Sequence, residues 1–357
     1  MFKENAHPAW HMKRALRLAE EAKGWTLPNP MVGAVILNKD GERIGDGYHT
    51  KFGEAHAEIE ALKSCTESPE GGTLYVTLEP CCHQGKTPPC TKAIIASGIR
   101  KVVVAVKDPS EKVAGQGIEE LRAAGIEVTV GLLEKEAREL NRFFFTFHEQ
   151  KRPYITLKAA VSLDGKISGA AGTQTSLTGK HAQRYVHSLR HEHQAILVGA
   201  GTVLTDNPHL GVRAVEGRDP LRVILAGSRA LPSDAQIFRD ENVLVLKEKT
   251  IKAVLKKLHA AGVVSVLVEG GHEVFQSFID AKMVDELQVF IAPILLGKKA
   301  LPFLECKKEL QLRQVRYKVL GKDLLLQAVP EFVANKQMND EVTEAAEDEL
   351  QDPTVNE

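Results

Sequence analysis

Apolar positions change period along this chain. Met12, Ala15, Leu16 and Ala19 fall on one helical face, predicting a helix from about residue 8 to 23. Val32 to Leu37 reads as a strand, Asp40-Gly41 as a hairpin turn, and Arg43 to Tyr48 as the returning strand. A helix is predicted to begin near His56, a β-rich run follows at Thr73 to Leu78, and Gly98 closes a short helix before the strand Val102 to Val106. A helix stopping at glycine with a strand close behind recurs at Gly125 and Gly262. Residues 143 to 153 join an aromatic cluster to a charged stretch and Pro153, marking a change of unit. Strands are then predicted near Ile155 to Ala159, Ala195 to Val198, Leu221 to Leu225, Val263 to Val268 and Leu287 to Ile291, a spacing that favours a three-layer domain with a largely parallel sheet.

The length of 357 residues suits two domains, and 43% hydrophobic residues can give each a core. The expected division is 1–148, a linker at 149–153, 154–332, and a tail at 333–357. Beyond Asn339 that tail has eight acidic residues and no basic one, and is expected to be disordered. A net charge of -1 offers no general attraction to nucleic acid or anionic lipid. No apolar run approaches a membrane span, and the polar start with Pro8 is unlike a signal peptide. The expected setting is the cytoplasm, with a small-molecule substrate, no nucleic-acid or membrane partner, and a homo-oligomeric state.

Three of the five cysteines crowd into ten residues, which favours metal chemistry over a disulfide framework. His56-Ala57-Glu58, Glu79-Pro80-Cys81-Cys82 and Pro88-Pro89-Cys90 together offer an imidazole and thiolates suited to zinc. Three protein ligands leave a fourth position for water, and a carboxylate such as Glu58 could carry a proton from that water to a departing amine. His-x-Glu with Pro-Cys-x-x-Cys is a known signature of zinc nucleobase deaminases, although eight residues separate Cys81 from Cys90 here. Residues i and i+2 lie about 200° apart on a regular helix, so His56 and Glu58 need an irregular first turn to converge. Two alternatives stay open: a closed structural site drawing on Cys81, Cys82, Cys90 and His56 or His83, and unligated buried thiols. Cys65 and Cys306 read as isolated core thiols.

The strings PNPMVGAV (28–35), GEAHAE (53–58), VTLEPCCHQGKTPPC (76–90) and KDPSEKVAGQG (107–117) closely resemble the bifunctional riboflavin-biosynthesis deaminase/reductase family, in which the longer cysteine spacing is normal. LKAAVSLDGKI (157–167), ILVGAGTVLTDNPHL (196–210), VSVLVEGG (264–271) and FIAPILLG (290–297) extend the likeness over roughly 8–330. The resemblance implies an α/β protein of two three-layer domains, a cytidine-deaminase-like one followed by a dihydrofolate-reductase-like one. It implies deamination of a diamino-ribosylamino-pyrimidinone phosphate, then NADPH reduction of the ribosyl to a ribityl chain.

Carried over by position, zinc falls to His56, Cys81 and Cys90, proton transfer to Glu58, and substrate contacts to Asn29, His49 and Lys86. In the second half, Val161, Ser176, Thr202, Asp206, Gly227 and the run Gly271, His272, Glu273, Val274, Phe275, Gln276 and Ser277 would border NADPH. Gln174, Arg190, Leu210, Arg213 and Glu269 would border the phosphorylated substrate, with Lys158 near the reacting sugar. The Gly270-Gly271 turn before a helical segment is itself a suitable phosphate cradle, whereas Gly199-Ala200-Gly201-Thr202 has Leu204 where a dinucleotide fingerprint needs its third glycine. Two positions depart from the family pattern: Ser176-Leu177-Thr178 replaces Trp-Ile-Thr, and Ala226-Gly227 stands where an aspartate commonly ends a strand. A deaminase with a degenerate reductase half, or a non-catalytic ligand sensor, therefore remain alternatives.

Overall fold

The computed structural model describes residues 7–84, 88–169, 175–306 and 309–332. The first domain opens with α1 (Pro8–Glu20), whose first turn is capped by His7 Nδ1 accepting from the Ala9 N–H at 3.2 Å. The predicted helix to residue 23 is shorter by three residues, because the chain goes on as turns to Gly24, at φ +80°. Next come β1 (Gly33–Leu37), β2 (Arg43–Tyr48), α2 (Ala57–Lys63), β3 (Thr73–Val76), α3 (Cys90–Ala96), β4 (Lys101–Val104), α4 (Gln116–Ala123), β5 (Glu127–Val130), α5 (Glu134–Leu140) and α6 (Arg142–Gln150).

The first sheet has the order β2-β1-β3-β4-β5. The pairs about β1 are antiparallel, and β3, β4 and β5 run parallel. Alternate side chains divide between two cores. Ile36, Leu74 and Val102 pack under α2, α3 and α4, while Val35, Tyr75 and Val103 pack under α1, α5 and α6. The three layers leave the start of α2, the loop after β3 and the start of α3 to form the site.

The second domain contains β6 (Tyr154–Ser162), β7 (Lys166–Ser168), α7 (Lys180–Glu192), β8 (Ala195–Gly199), α8 (Ala200–Asp206), β9 (Leu221–Leu225), β10 (Val243–Leu246), α9 (Ile251–Ala260), β11 (Ser265–Val268), α10 (His272–Asp280), β12 (Glu286–Ala292), β13 (Leu301–Pro302), β14 (Gln311–Leu320) and β15 (Asp323–Glu331). Its eight-stranded sheet runs β10-β9-β8-β11-β6-β12-β15-β14. The six strands from β10 to β12 are parallel, and the hairpin of β15 and β14 adds antiparallel to that edge. Helices α9 and α10 cover one face, and α7 and α8 the other. Because all six parallel strands point the same way, the turns that start α8 and α10 lie together at their carboxyl edge. Ligands favour that edge in open α/β sheets.

Helix α6 joins the units. Phe144 and Phe145 are buried in the first domain's core. Phe143 instead stacks 5.0 Å from Tyr154 and 4.9 Å from His193, and Phe147 lies 4.3 Å from His259. The aromatic run therefore seals both domains from opposite sides of one helix.

Candidate active sites

His56 is the N-cap of α2, in extended conformation at φ -75° and ψ 162°. It thus lies outside the helix whose first turn carries Glu58, and the irregular turn that the sequence required is the helix boundary itself. Cys81 follows β3, and Cys90 is the first residue of α3, after Pro89. His56 Nδ1 is 3.5 Å from Cys81 Sγ and 3.3 Å from Cys90 Sγ, and all three donor atoms lie within 4.8 Å of one another. Tetrahedral zinc with ordinary Zn–N and Zn–S bonds places its ligand atoms roughly 3.5–3.8 Å apart, so this donor set fits the ion. Among the described residues no other group of His, Cys, Asp and Glu converges in this way.

The electrostatics suit that use. Hydrogen bonding from Cys90 pulls the Cys81 thiol down to about 4, against its burial, with His56 helping. Glu58 is 3% exposed; burial pushes its carboxyl up to about 7, and the Cys81 sulfur adds to the effect. A carboxyl poised near neutrality can both take and give a proton at working pH.

Asn29 and His49 join this site. His49 Nδ1 donates to the Ala55 carbonyl at 3.0 Å, which leaves Nε2 to accept from Asn29 Nδ2 at 3.2 Å. The His49 ring stands 5.4 Å from that of His56, and burial lowers its pKa, keeping it neutral. Lys86 lies outside the described residues.

Glu79 has a function that its place beside Pro80-Cys81 did not reveal. Its buried carboxylate accepts four backbone N–H groups, from Gly117 (3.0 Å) and Ile118 (3.2 Å) at Oε1 and from Asp108 (3.2 Å) and Gly115 (3.0 Å) at Oε2. It ties the KDPSEKVAGQG segment and the start of α4 to the chain that leads into Cys81. A Cβ at Gly117 would stand 2.1 Å from the Pro80 carbonyl oxygen, so this approach needs glycine. A carboxylate two residues before a metal ligand, together with a distant glycine-rich segment, gives no sequence signal of the pairing.

In the second domain, Arg190 of α7 grips Glu269 beyond β11 at 2.8 and 3.0 Å and gives a further donor to the Gly211 carbonyl at 3.1 Å. Lys158 of β6 reaches the same carboxylate at 3.5 Å. Burial raises the Glu269 carboxyl, but Arg190 and then Lys158 overcome it and hold the pKa at about 2. Three of the sequence candidates thus form one charged cluster. The Arg190 fork faces protein groups in this arrangement. Arg213 is exposed, and Leu210 is buried at φ +55°.

The nucleotide candidates divide. A Cβ at Gly271 would come 3.7 Å from Thr202 Oγ1, while Gly199 and Gly270 both abut Val274, so the α8 and α10 starts pack against each other through glycines. Exposed Glu273 sits beside Arg229 at 3.6 Å, and Gly227 is exposed at φ +55° just past β9. Asp206 ends α8, and Val161 is buried in β6. Phe275 points into the core against Phe303, with ring centroids 5.3 Å apart. His272 contacts the Pro302 carbonyl through Nδ1, Gln276 bonds Asp280, and Ser277 bonds the Glu273 carbonyl. Ser176 is exposed, and Gln174 lies outside the described residues.

Against known families, the model of the cytidine and deoxycytidylate deaminase zinc-binding region matches residues 6–106, and that of the RibD C-terminal domain matches 153–326. The riboflavin biosynthesis protein RibD of Aquifex aeolicus (strain VF5) is 44% identical over 344 residues, covering 88% of this chain and 96% of that protein. Its counterpart from Escherichia coli (strain K12) is 38% identical over 327 residues, covering 82% and 89%. Among solved structures, Acinetobacter baumannii RibD superposes with a TM-score of 0.86 at 35% identity, covering 91% of this chain and 99% of that one. A diaminohydroxyphosphoribosylaminopyrimidine deaminase/5-amino-6-(5-phosphoribosylamino)uracil reductase from Thermotoga maritima does so with 0.79 at 38% identity, covering 90% and 98%.

Proposed function

Because the chain belongs to the RibD family of riboflavin-biosynthesis deaminase/reductases, we propose that its two sites act in turn on one pyrimidine. The substrate would be 2,5-diamino-6-ribosylamino-pyrimidinone 5'-phosphate, deaminated in the first domain and reduced from ribosyl to ribityl in the second. The observation that carries this reading is the convergence of His56, Cys81 and Cys90 beside buried Glu58. A structural metal site has no use for that carboxylate.

His56, Cys81 and Cys90 would hold zinc, which when bound supplies a Lewis acid that makes water a nucleophile near neutral pH. Glu58 accepts a proton at a carboxylate oxygen as the water oxygen bonds to the amino-bearing ring carbon. It then returns that proton to the departing nitrogen, which leaves as ammonia. Asn29 and His49 orient the pyrimidine, with Lys86 a further contact.

NADPH, when bound at the carboxyl edge of the second sheet, supplies the hydride. Val161, Ser176, Thr202, Asp206, Gly227 and the 271–277 segment would border it, Phe275 from within the core that backs the segment, and the N–H groups at the start of α10 would be available to its phosphates. Lys158 stands toward the sugar, fixed by Glu269 and Arg190, while Gln174, Leu210 and Arg213 bound the phosphorylated end. The exposed edge strand β14, with Tyr317 66% and Val319 73% exposed, suits a homo-oligomer contact. The five free cysteines suit the cytoplasm, and no described helix is long and apolar enough to cross a membrane.

Incubating the full chain with the diamino substrate tests both steps. Ammonia release without NADPH, and NADPH oxidation only after deamination, are the expected results. Ammonia without any later NADPH consumption would remove the second half of the proposal.

A further inference from the structure

Three consecutive residues at the end of α7 face two ways. Arg190 clamps Glu269 in the reductase domain, while His191 and Glu192 reach the deaminase domain. The Arg218 backbone N–H donates to His191 Nδ1 at 3.1 Å, so Nε2 carries the proton and donates to the Lys23 carbonyl at 3.1 Å. The His191 ring meets Trp25 edge-on at 4.8 Å, and a Cβ at Gly24 would stand 2.5 Å from its Nε2. Arg218 Nε donates to the Gly24 carbonyl at 2.7 Å, and Lys23 pairs with Glu192 at 3.0 Å. Turn bonds from the Lys23 N–H to the Glu20 carbonyl at 3.1 Å and from the Trp25 N–H to the Ala22 carbonyl at 2.9 Å hold the segment locally, while the side chains that bond its Lys23 and Gly24 carbonyls and pair with the Lys23 ammonium come from the other domain.

That segment supports both polar groups beside His56. Trp25 runs directly into the turn closed by the Asn29 N–H on the Thr26 carbonyl at 2.8 Å. The Trp25 carbonyl also accepts from the Phe52 N–H at 3.2 Å, and Lys51 lies over its indole, so the loop after His49 rests on the same residue. Downstream, Asn141 fixes Met31 through two 2.8 Å bonds. Between these anchors the 26–31 segment lines a small cleft of about 30 Å³ shared with Leu140 and Phe144. The backbone bonds at its two ends, at Trp25–Asn29 and at Met31, fix where Asn29 stands.

We infer that His191 and Arg218 of the reductase domain are positioning residues for deamination, acting through Lys23–Trp25 on Asn29 and His49. The inference rests on the reading of Asn29 as a substrate contact. A displaced orienting group weakens substrate capture without touching the metal ligands, and small displacements are costly in catalytic sites.

The test uses the full-length zinc-loaded protein. His191→Ala should raise the deaminase KM about tenfold, with kcat, zinc content and reductase turnover unchanged. His191→Gln, which keeps a donor and an acceptor, should restore most of the loss, and Arg218→Gln should reproduce it. Placed in an Asn29→Ala background, His191→Ala should add much less than it does alone, because only the branch through His49 is left for it to act on. A wild-type deaminase KM in both H191A and R218Q would overturn the relay, as would losses that simply add to those of N29A. Joint loss of zinc, reductase turnover and deamination would reduce the contact to a structural seam and overturn it equally. An unimpaired N29A would strike at the premise instead, since Asn29 would then not touch the substrate.

Discussion

Arg190 holds Glu269 through two parallel donors, Nε to Oε1 at 2.8 Å and Nη2 to Oε2 at 3.0 Å. Both side chains are largely buried, and Lys158 adds a second cation. Removing the negative charge leaves two cations facing each other in a poorly solvated place. Glu269→Gln is expected to lower reductase kcat/KM by roughly 10²–10³ and to destabilise its domain by about 3–5 kcal/mol, with deamination intact. NADPH oxidation with the deaminated pyrimidine, and urea unfolding, give the two readouts. Reduction at the wild-type rate would make the cluster purely structural.

Glu58 offers a cleaner separation, because it lies next to the metal ligands without being one of them. Glu58→Gln is nearly isosteric and leaves His56, Cys81 and Cys90 in place, so zinc content should match the wild type. Loss of the proton carrier should lower deaminase kcat by about 10²–10⁴, with NADPH-dependent reduction unchanged. Ammonia release and metal analysis on the same sample check both halves. Full activity in this variant would remove the proton-transfer role.

How much of this was legible beforehand depended on whether the information was local. Hairpin Asp40-Gly41, the glycine stops at Gly98 and Gly262, and the strand Leu221–Leu225 appear where short-range pattern put them. Metal chemistry was readable from the crowded cysteines and His56-Ala57-Glu58, but the choice of His56, Cys81 and Cys90 over Cys82 and His83 came from the family resemblance, because the cysteine spacing departs from the generic signature. Strand β10 was missed because no helix-ending glycine precedes it to mark a strand, as Gly98 and Gly262 do for the equally short β4 and β11. Strand β14 was missed because exposure of nine of its ten residues removes the one-sided alternation that marks a strand. Glu79 and His191 were invisible for a different reason: their partners are 29 to 39 and 27 to 168 residues away, and many of them are backbone atoms that carry no sequence identity.

Glu79→Ala is the variant expected to damage the first domain most. Four backbone N–H groups would lose their acceptor, and each buried unsatisfied donor costs about 1–3 kcal/mol. The deaminase domain should therefore unfold at much lower urea than wild type and bind zinc more weakly, because Cys81 follows directly. Glu79→Gln keeps one accepting oxygen and should fall between the two. Equal stability of the alanine variant would mean that water replaces the carboxylate without penalty.

His193 provides the pH test. Its ring is 2% exposed, donates from Nδ1 to the Leu189 carbonyl at 2.7 Å and accepts at Nε2 from the Thr156 hydroxyl at 2.8 Å. Burial lowers its pKa to about 3; the Leu189 carbonyl opposes this, and Arg142, Lys23 and Arg218 add smaller lowering effects. The unfolded chain binds a proton below about 6.5 that the folded chain refuses, so this contribution to stability is complete above 6.5 and declines as pH falls toward 3. Glu269 stays ionised in both states until pH falls below its unfolded value near 4.5, so its own loss lies below the upper part of this window. His49, His148, His187, His191 and His209 are lowered too and give slopes of the same sign. Only the difference between wild type and His193→Gln isolates one group: between about pH 6.5 and 5 the variant should lose roughly 1 kcal/mol less per pH unit, the difference starting at half of the limiting slope of about 1.4 and approaching it near pH 5. Parallel slopes in urea unfolding at those two pH values would mean that the folded protein accepts the proton at His193, and the hydrogen bonds assigned to its neutral ring would have to be wrong.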